Sequence, residues 1–177
     1  MTFSIVARAE IACPDGTVKP AFGVAVASKF LAVGSAVPAA DPAVGAIATQ
    51  AFANLAYRPQ GLTLLRTGTQ PADVIAGLTA ADHLREGRQV GVIGIDGPGA
   101  SFTGGDCTDW AGHLTGPDFA VQGNMLTGGD VVEAVRDTFV GSDPDQPLAR
   151  RLLAALRAGD DAGGDKRGRQ SAALLVA

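Results

Sequence analysis

Four stretches of this chain gather hydroxyl, amide and charged side chains beside glycines. They are Met1-Thr2-Phe3-Ser4, Thr49-Gln50 with Asn54, Gln122-Gly123-Asn124-Met125, and Gly163 to Ser171 (GGDKRGRQS). Hydroxyls become nucleophiles once a base takes their proton, side-chain amides donate to a developing oxyanion, and guanidinium groups clamp carboxylates bidentately. Thr2 and Ser4, two residues apart, share a face if the segment is a strand. Asn124, with the backbone N–H groups around Gly123, could donate to an oxyanion or a substrate carbonyl; a turn asparagine at positive φ accounts for it equally well. Gln50 and Asn54 could orient a polar ligand, or serve as strand and cap residues. In the basic loop Arg167 and Arg169 have the geometry for a carboxylate. The same glycines and cations suggest a phosphate cradle, but the loop lacks the GxxxxGK[ST] order and opens no helix; an exposed charged loop is the plain alternative. Cys107 and His113 frame CTDWAGH. A Cys/His pair can make a thiol site, yet no third group is positioned by the sequence, and Trp110 reads first as a packing anchor.

Each polar stretch adjoins a segment that reads as a strand end, where a rigid sheet can hold a site. Strands are expected over Thr2 to Arg8, Phe22 to Ser28, Leu31 to Val37 and Val44 to Gln50, all rich in small and β-branched residues. Their poor alternation predicts sheets covered on both faces. Helical spacing follows at Tyr57 to Arg66 and Gln70 to Leu84, the latter with Pro71 at its start. Arg88 to Ile95, Ala100 to Thr103 and Phe119 to Val121 return to strand, separated by Gly-Pro and Gly-Gly turns. Asp130 to Val140, with an acidic N-cap, and Gln146 to Ala158, with a proline in its first turn, form a second helical pair. Gln170 to Ala177 closes the order as a strand. This α+β order, without repeats or linkers, suits one domain over residues 1–177, two mainly antiparallel sheets packed together with helices outside.

Composition narrows the class of function. At 177 residues, 46% hydrophobic and 18% charged, the chain can bury a core and is not disordered. A net charge of −4 with no basic stripe leaves no source for the counterion release that drives nucleic-acid binding. No apolar run approaches the roughly eighteen residues of a membrane span, and the N-terminus lacks the stages of a signal peptide, so a cytoplasmic protein is expected. Cys13 and Cys107 show neither CxxC spacing nor a partnering His pair, so no metal is expected and a chance pair of thiols is the simpler reading.

The segments MTFSIVAR, GVAVASKFLAVGSAVP, GAIATQAFAN, CTDWAGH, AVQGNML and GGDKRGRQSAALLV occur in the order typical of the DUF1028 family (domain of unknown function 1028), which the chain resembles over nearly its whole length. That family is placed among Ntn-hydrolase-like proteins, so the resemblance implies a four-layer αββα sandwich. It also implies an N-terminal nucleophile at Thr2, provided Met1 is removed, as small second residues generally permit. The freed α-amine titrates near 7.7 to 8.0, so part of it is neutral at pH 7 and can take the hydroxyl proton directly or through water. A threonine merely opening a strand is the alternative. Under the resemblance Asn124 serves the oxyanion, and Asp165 and Ser171 support the amine. Ser4, Lys29, Gln50, Asn54, Arg167 and Gln170 face the substrate, and the Lys29 ammonium would lower the amine pKa if it lies near; a solvated surface lysine is its other reading. The expected reaction is hydrolysis of a small acidic amide or ureido compound, without metal or organic cofactor, in a homo-oligomer. A catalytically inactive ligand-binding or assembly protein on the same fold is the competing expectation.

Overall fold

In a computed structural model, which describes residues 2–13 and 15–177, the chain is an α+β fold of two antiparallel sheets and four helices. Met1, on whose removal the expected N-terminal nucleophile depends, and Pro14 lie outside the described residues. The first sheet has the order β7-β8-β1-β2-β9, from β1 (Thr2–Ala12), β2 (Val18–Ser28), β7 (Gly112–Gly116), β8 (Phe119–Asn124) and β9 (Ser171–Val176). The second runs β3-β4-β5-β6, from β3 (Pro38–Asp41), β4 (Gly45–Ala51), β5 (Arg88–Gly94) and β6 (Ala100–Thr103). Helices α1 (Tyr57–Arg66) and α2 (Pro71–Ala80) follow β4, and α3 (Asp130–Val140) and α4 (Leu148–Asp161) follow β8.

Alternation along the central strands decides what each sheet face meets. On β1, Phe3, Ile5 and Ala7 join Val135, Phe139 and Leu152 in the cluster beneath α3 and α4. Val6 points the other way, joining Val24, Val26, Ala46 and Ile93 in the cluster between the sheets. Ile47, Val90 and Val92 face outward from the second sheet onto Val74, Ile75 and Leu78 of α2. Both faces of each sheet are therefore covered, which explains why these strands read as small, apolar runs rather than as clean amphipathic ones. On α3, Val131, Val132, Val135 and Phe139 fall on one helical stripe.

Three expectations need correction. Leu31 to Val37 is no strand: it contains a turn and a 3-10 segment at Val33–Ser35, with Ala32 at φ 52. Val33 and Val37 are apolar because they plug the end of the inter-sheet cluster, not because they pair in a ladder. The third opening strand is β3, which starts seven residues later than expected. β7, with sequence GHLTG, carries too few apolar residues to show a period, yet it pairs with β8 from Gly112↔Gly123 to Gly116↔Phe119. Finally, Asp130 does not cap α3: the N-cap position is Gly129 and no side chain bonds there.

Candidate active site

Thr2 occupies the first position of β1, the middle strand of its sheet, with 5% of its surface exposed. The antiparallel registers place Asn124 of β8 on one side of it and Ser28 of β2 on the other, and Ser28 is in turn paired with Ser171 of β9. Directly opposed residues share a sheet face. Four strands thus contribute one row, Asn124, Thr2, Ser28 and Ser171, at one end of the sheet. The Thr2 and Ser28 hydroxyl oxygens are 3.0 Å apart. Ser171 Oγ accepts from Val33 N at 3.0 Å and donates to Phe30 O at 2.6 Å, tying the row to the segment after β2.

Behind the row lies a buried amide network between the sheets. Ser4, on the same face as Thr2, donates to Gln50 Oε1 at 2.7 Å and accepts from Gln122 Nε2 at 2.6 Å. Gln50 Nε2 donates to Gln89 Oε1 at 2.7 Å and lies 3.2 Å from the carbonyl oxygens of Thr2 and Gln122. Gln89 Oε1 also accepts from Asn124 Nδ2 at 2.9 Å. The other Asn124 amide proton points toward Thr2 O at 3.5 Å, a distance at which little hydrogen-bond energy is committed. Ser4, Gln50, Gln89, Gln122 and Asn124 are each at most 1% exposed, and no side-chain polar atom among them is orphaned. Gly91 belongs to this packing: a Cβ there would run into the Gln122 amide.

Asp165 sits 8% exposed where a short bridge joins it to Leu126. Its carboxylate accepts from Lys29 N at 2.6 Å and Arg167 N at 2.8 Å, placing a negative charge at the residue that follows Ser28. Lys29 itself is exposed, and its Nζ lies 3.5 Å from Arg169 O. The Arg167 guanidinium donates to Lys29 O at 3.1 Å and stands 3.6 Å from Asp165; Arg169 pairs with Asp160 at 2.7 Å. Gln170 and Ser171 line a cleft of about 320 Å³ beside α4 that also reaches Ser28 and Asp165.

The structure therefore brings Thr2, Ser4, Gln50, Asn124 and Ser171 into one hydrogen-bonded region, with Asp165, Lys29, Arg167 and Gln170 along its margin. Asn54 lies elsewhere. Its amide donates to Asp82 Oδ2 at 3.1 Å, in a cluster with Tyr57 and Arg88 on the outer face of the second sheet. Asn124 is not a turn residue: it ends β8, and the positive φ belongs to Met125 at 53. Cys107 and His113 do not pair. The thiol donates to Arg88 O at 3.3 Å, and burial pushes its pKa up, away from thiolate. His113 Nδ1 meets Thr103 Oγ1 at 2.9 Å, and burial lowers its pKa, keeping the ring neutral at pH 7. Ser28 and Gln89 were not singled out from sequence. Their signal was a polar residue at an inward-facing strand position, in FGVAVAS and RQVGVIG, visible only once the facing sheet is known.

Both cysteines are free, and no group of three or more His, Cys, Asp or Glu among the described residues forms a metal-ligand set. No helix among them is long and apolar enough to cross a membrane.

No curated protein matches the chain. A solved structure, protein SPO2555 from Silicibacter pomeroyi, carries the same family model; it is 36% identical over 99% of this chain and 75% of that one, with a TM-score of 0.85. The model of the family of unknown function DUF1028 matches residues 2–177. The chain belongs to the DUF1028 family.

Proposed function

We propose that this protein is an N-terminal-nucleophile amidohydrolase on an Ntn-hydrolase-like αββα sandwich, acting on the C–N bond of a small amide or ureido compound. The observation that carries the reading is the position of Thr2, first on the central strand and flanked by Ser28 and Asn124. With Met1 removed, the α-amine of Thr2 takes the hydroxyl proton, directly or through water, as Oγ1 bonds to the amide carbon. The oxyanion accepts the Asn124 proton now directed loosely at Thr2 O. The C–N bond then breaks as the ammonium returns its proton to the leaving nitrogen, and water hydrolyses the ester on Thr2. The amide network holds Asn124 in orientation through Gln89, and Asp165 and Ser171 hold the β2 end against the row. Lys29, Arg167 and Gln170, at the margin, favour an acidic substrate. A homo-oligomer belongs to the same reading, supported by the exposed apolar side chains Leu174, Leu175 and Val176 on edge strand β9; a monomer by light scattering at micromolar concentration removes that part.

The test begins with the intact mass of the protein from its native organism, which is expected to lack Met1. Ammonia release from a panel of small amides and ureido acids then follows wild type and Thr2→Ala, with loss of at least about a hundredfold in rate expected for the variant. A ligand-binding protein on the same fold is the competing reading, favoured by the burial of the Thr2 hydroxyl and its contact with Ser28. Retained Met1, with no turnover of the panel by wild type, decides for it, whereas full activity in Thr2→Ala would show that another group is the nucleophile.

A further inference from the structure

The floor of the cleft beside α4 is on the helix-facing side of the first sheet, where Phe3 joins the helix-facing cluster, whereas Thr2 and Ser4 face the second sheet; the rim of the cleft reaches Ser28, Asp165 and Ser171 at the end of the Thr2 row. Leu153 and Leu156 of α4 and Ala172 of β9 complete an apolar wall. At about 320 Å³ the space is at the small end of ligand pockets, which run from about 300 to 1,000 Å³.

Two guanidinium groups reach this wall, and they differ. Arg169 is held by Asp160 at 2.7 Å. Arg157, one turn before the end of α4, is exposed and makes no hydrogen bond or ion pair with any described residue. The carboxylates in the lining are already matched, Asp160 by Arg169 and Asp165 by two backbone N–H groups and Arg167. Of the charged side chains in the lining, Arg157 is the one without an ion-pair partner among the described residues, and it stands at the edge of an apolar floor.

We propose that this cleft binds a small amphipathic carboxylate, its apolar body against Phe3, Leu153, Leu156 and Ala172 and its carboxylate on the Arg157 fork. A planar, five-donor guanidinium selects a carboxylate over an alcohol or an amine of the same length, and each methylene laid on the floor adds affinity. Its rim shares Ser28, Asp165, Gln170 and Ser171 with the proposed active site, but binding there needs neither a free α-amine nor turnover.

Hexanoate, acetate, hexanol and hexylamine are titrated against the full chain by calorimetry and by amide chemical shifts. Hexanoate is expected to bind more tightly than acetate, hexanol or hexylamine by about fivefold or more. Arg157→Gln is expected to lower hexanoate affinity to the hexanol level while leaving hexanol unchanged, and Leu153→Ser to weaken both; each replaced side chain is exposed, so the fold survives. Thr2→Ala, which would abolish amide hydrolysis, is expected to bind hexanoate like wild type, so that failure of one reading is told from failure of the other. The proposal is overturned if wild type shows no hexanoate binding at tens of millimolar, if hexylamine binds as well as hexanoate, or if Arg157→Gln leaves hexanoate affinity unchanged.

Discussion

Two buried threonines differ in what their hydroxyls meet. Thr2 faces Ser28, whereas Thr49, on β4, buries its Oγ1 with no hydrogen-bond partner among the described residues. An unsatisfied hydroxyl carries its desolvation cost uncompensated, so Thr49→Val, which keeps the shape, is expected to stabilise by about 1 kcal/mol. In urea this reads as a higher midpoint with an unchanged slope; a lower midpoint would mean the hydroxyl has a partner. Sequence reading reached Thr2, Gln50 and Asn124 because each stands beside glycines or at a strand end. It missed Gln89, because one glutamine in RQVGVIG reads as the solvent face of an ordinary strand. Only the second sheet, set against the first, turns that position inward and gives its carbonyl both Gln50 and Asn124 to accept from.

At the scale of elements, the end of α2 is fastened to β5 by Asp82 and Arg88, which sit 2.9 Å apart with side chains 11% and 8% exposed. Asp82 also accepts from Tyr57, Asn54 and the Leu84 N–H. The Arg88 hydrogen bond, foremost, holds the Asp82 carboxyl well below its ordinary value of 3.8, and burial together with Asp82 pushes the Tyr57 phenol up. A carboxylate whose pKa is depressed by folding adds stability that is complete above its unfolded pKa and fades as pH falls through the folded one. Asp82→Asn is therefore expected to cost about 2 kcal/mol at pH 7, with the gap from wild type closing as pH drops below about 4. A gap that stays constant into strong acid would show that the carboxylate charge is not what fastens these elements. Element type was legible where a period persisted, as in α1 and α3, whose observed bounds equal the expected ones. It failed at Leu31 to Val37, where burial at the end of the sandwich imitates a strand, and at β7, which owes its existence to β8 rather than to its own residues.

Across the whole molecule, the order of elements was readable but the order of strands was not, since β1 finds its partner β8 some 122 residues away, at Thr2 and Asn124. Nothing local announces such a pairing, and closing it early is entropically costly. Because β1 shares its faces with both α4 and the second sheet, the two halves are expected to unfold together. Trp110 fluorescence and far-ultraviolet circular dichroism should then give coincident urea transitions, and two separated transitions would contradict a single cooperative domain. The same interlocking sets Thr2 where strands from both ends of the sequence meet, and the central claim is that this residue is the nucleophile. The most direct measurement is peptide mass analysis after rapid quenching of the protein with a compound it turns over. The account predicts an acyl adduct on an N-terminal peptide that begins at Thr2, absent from Thr2→Ala. Turnover by Thr2→Ala at the wild-type rate, with Thr2 unmodified in the wild type, would contradict it.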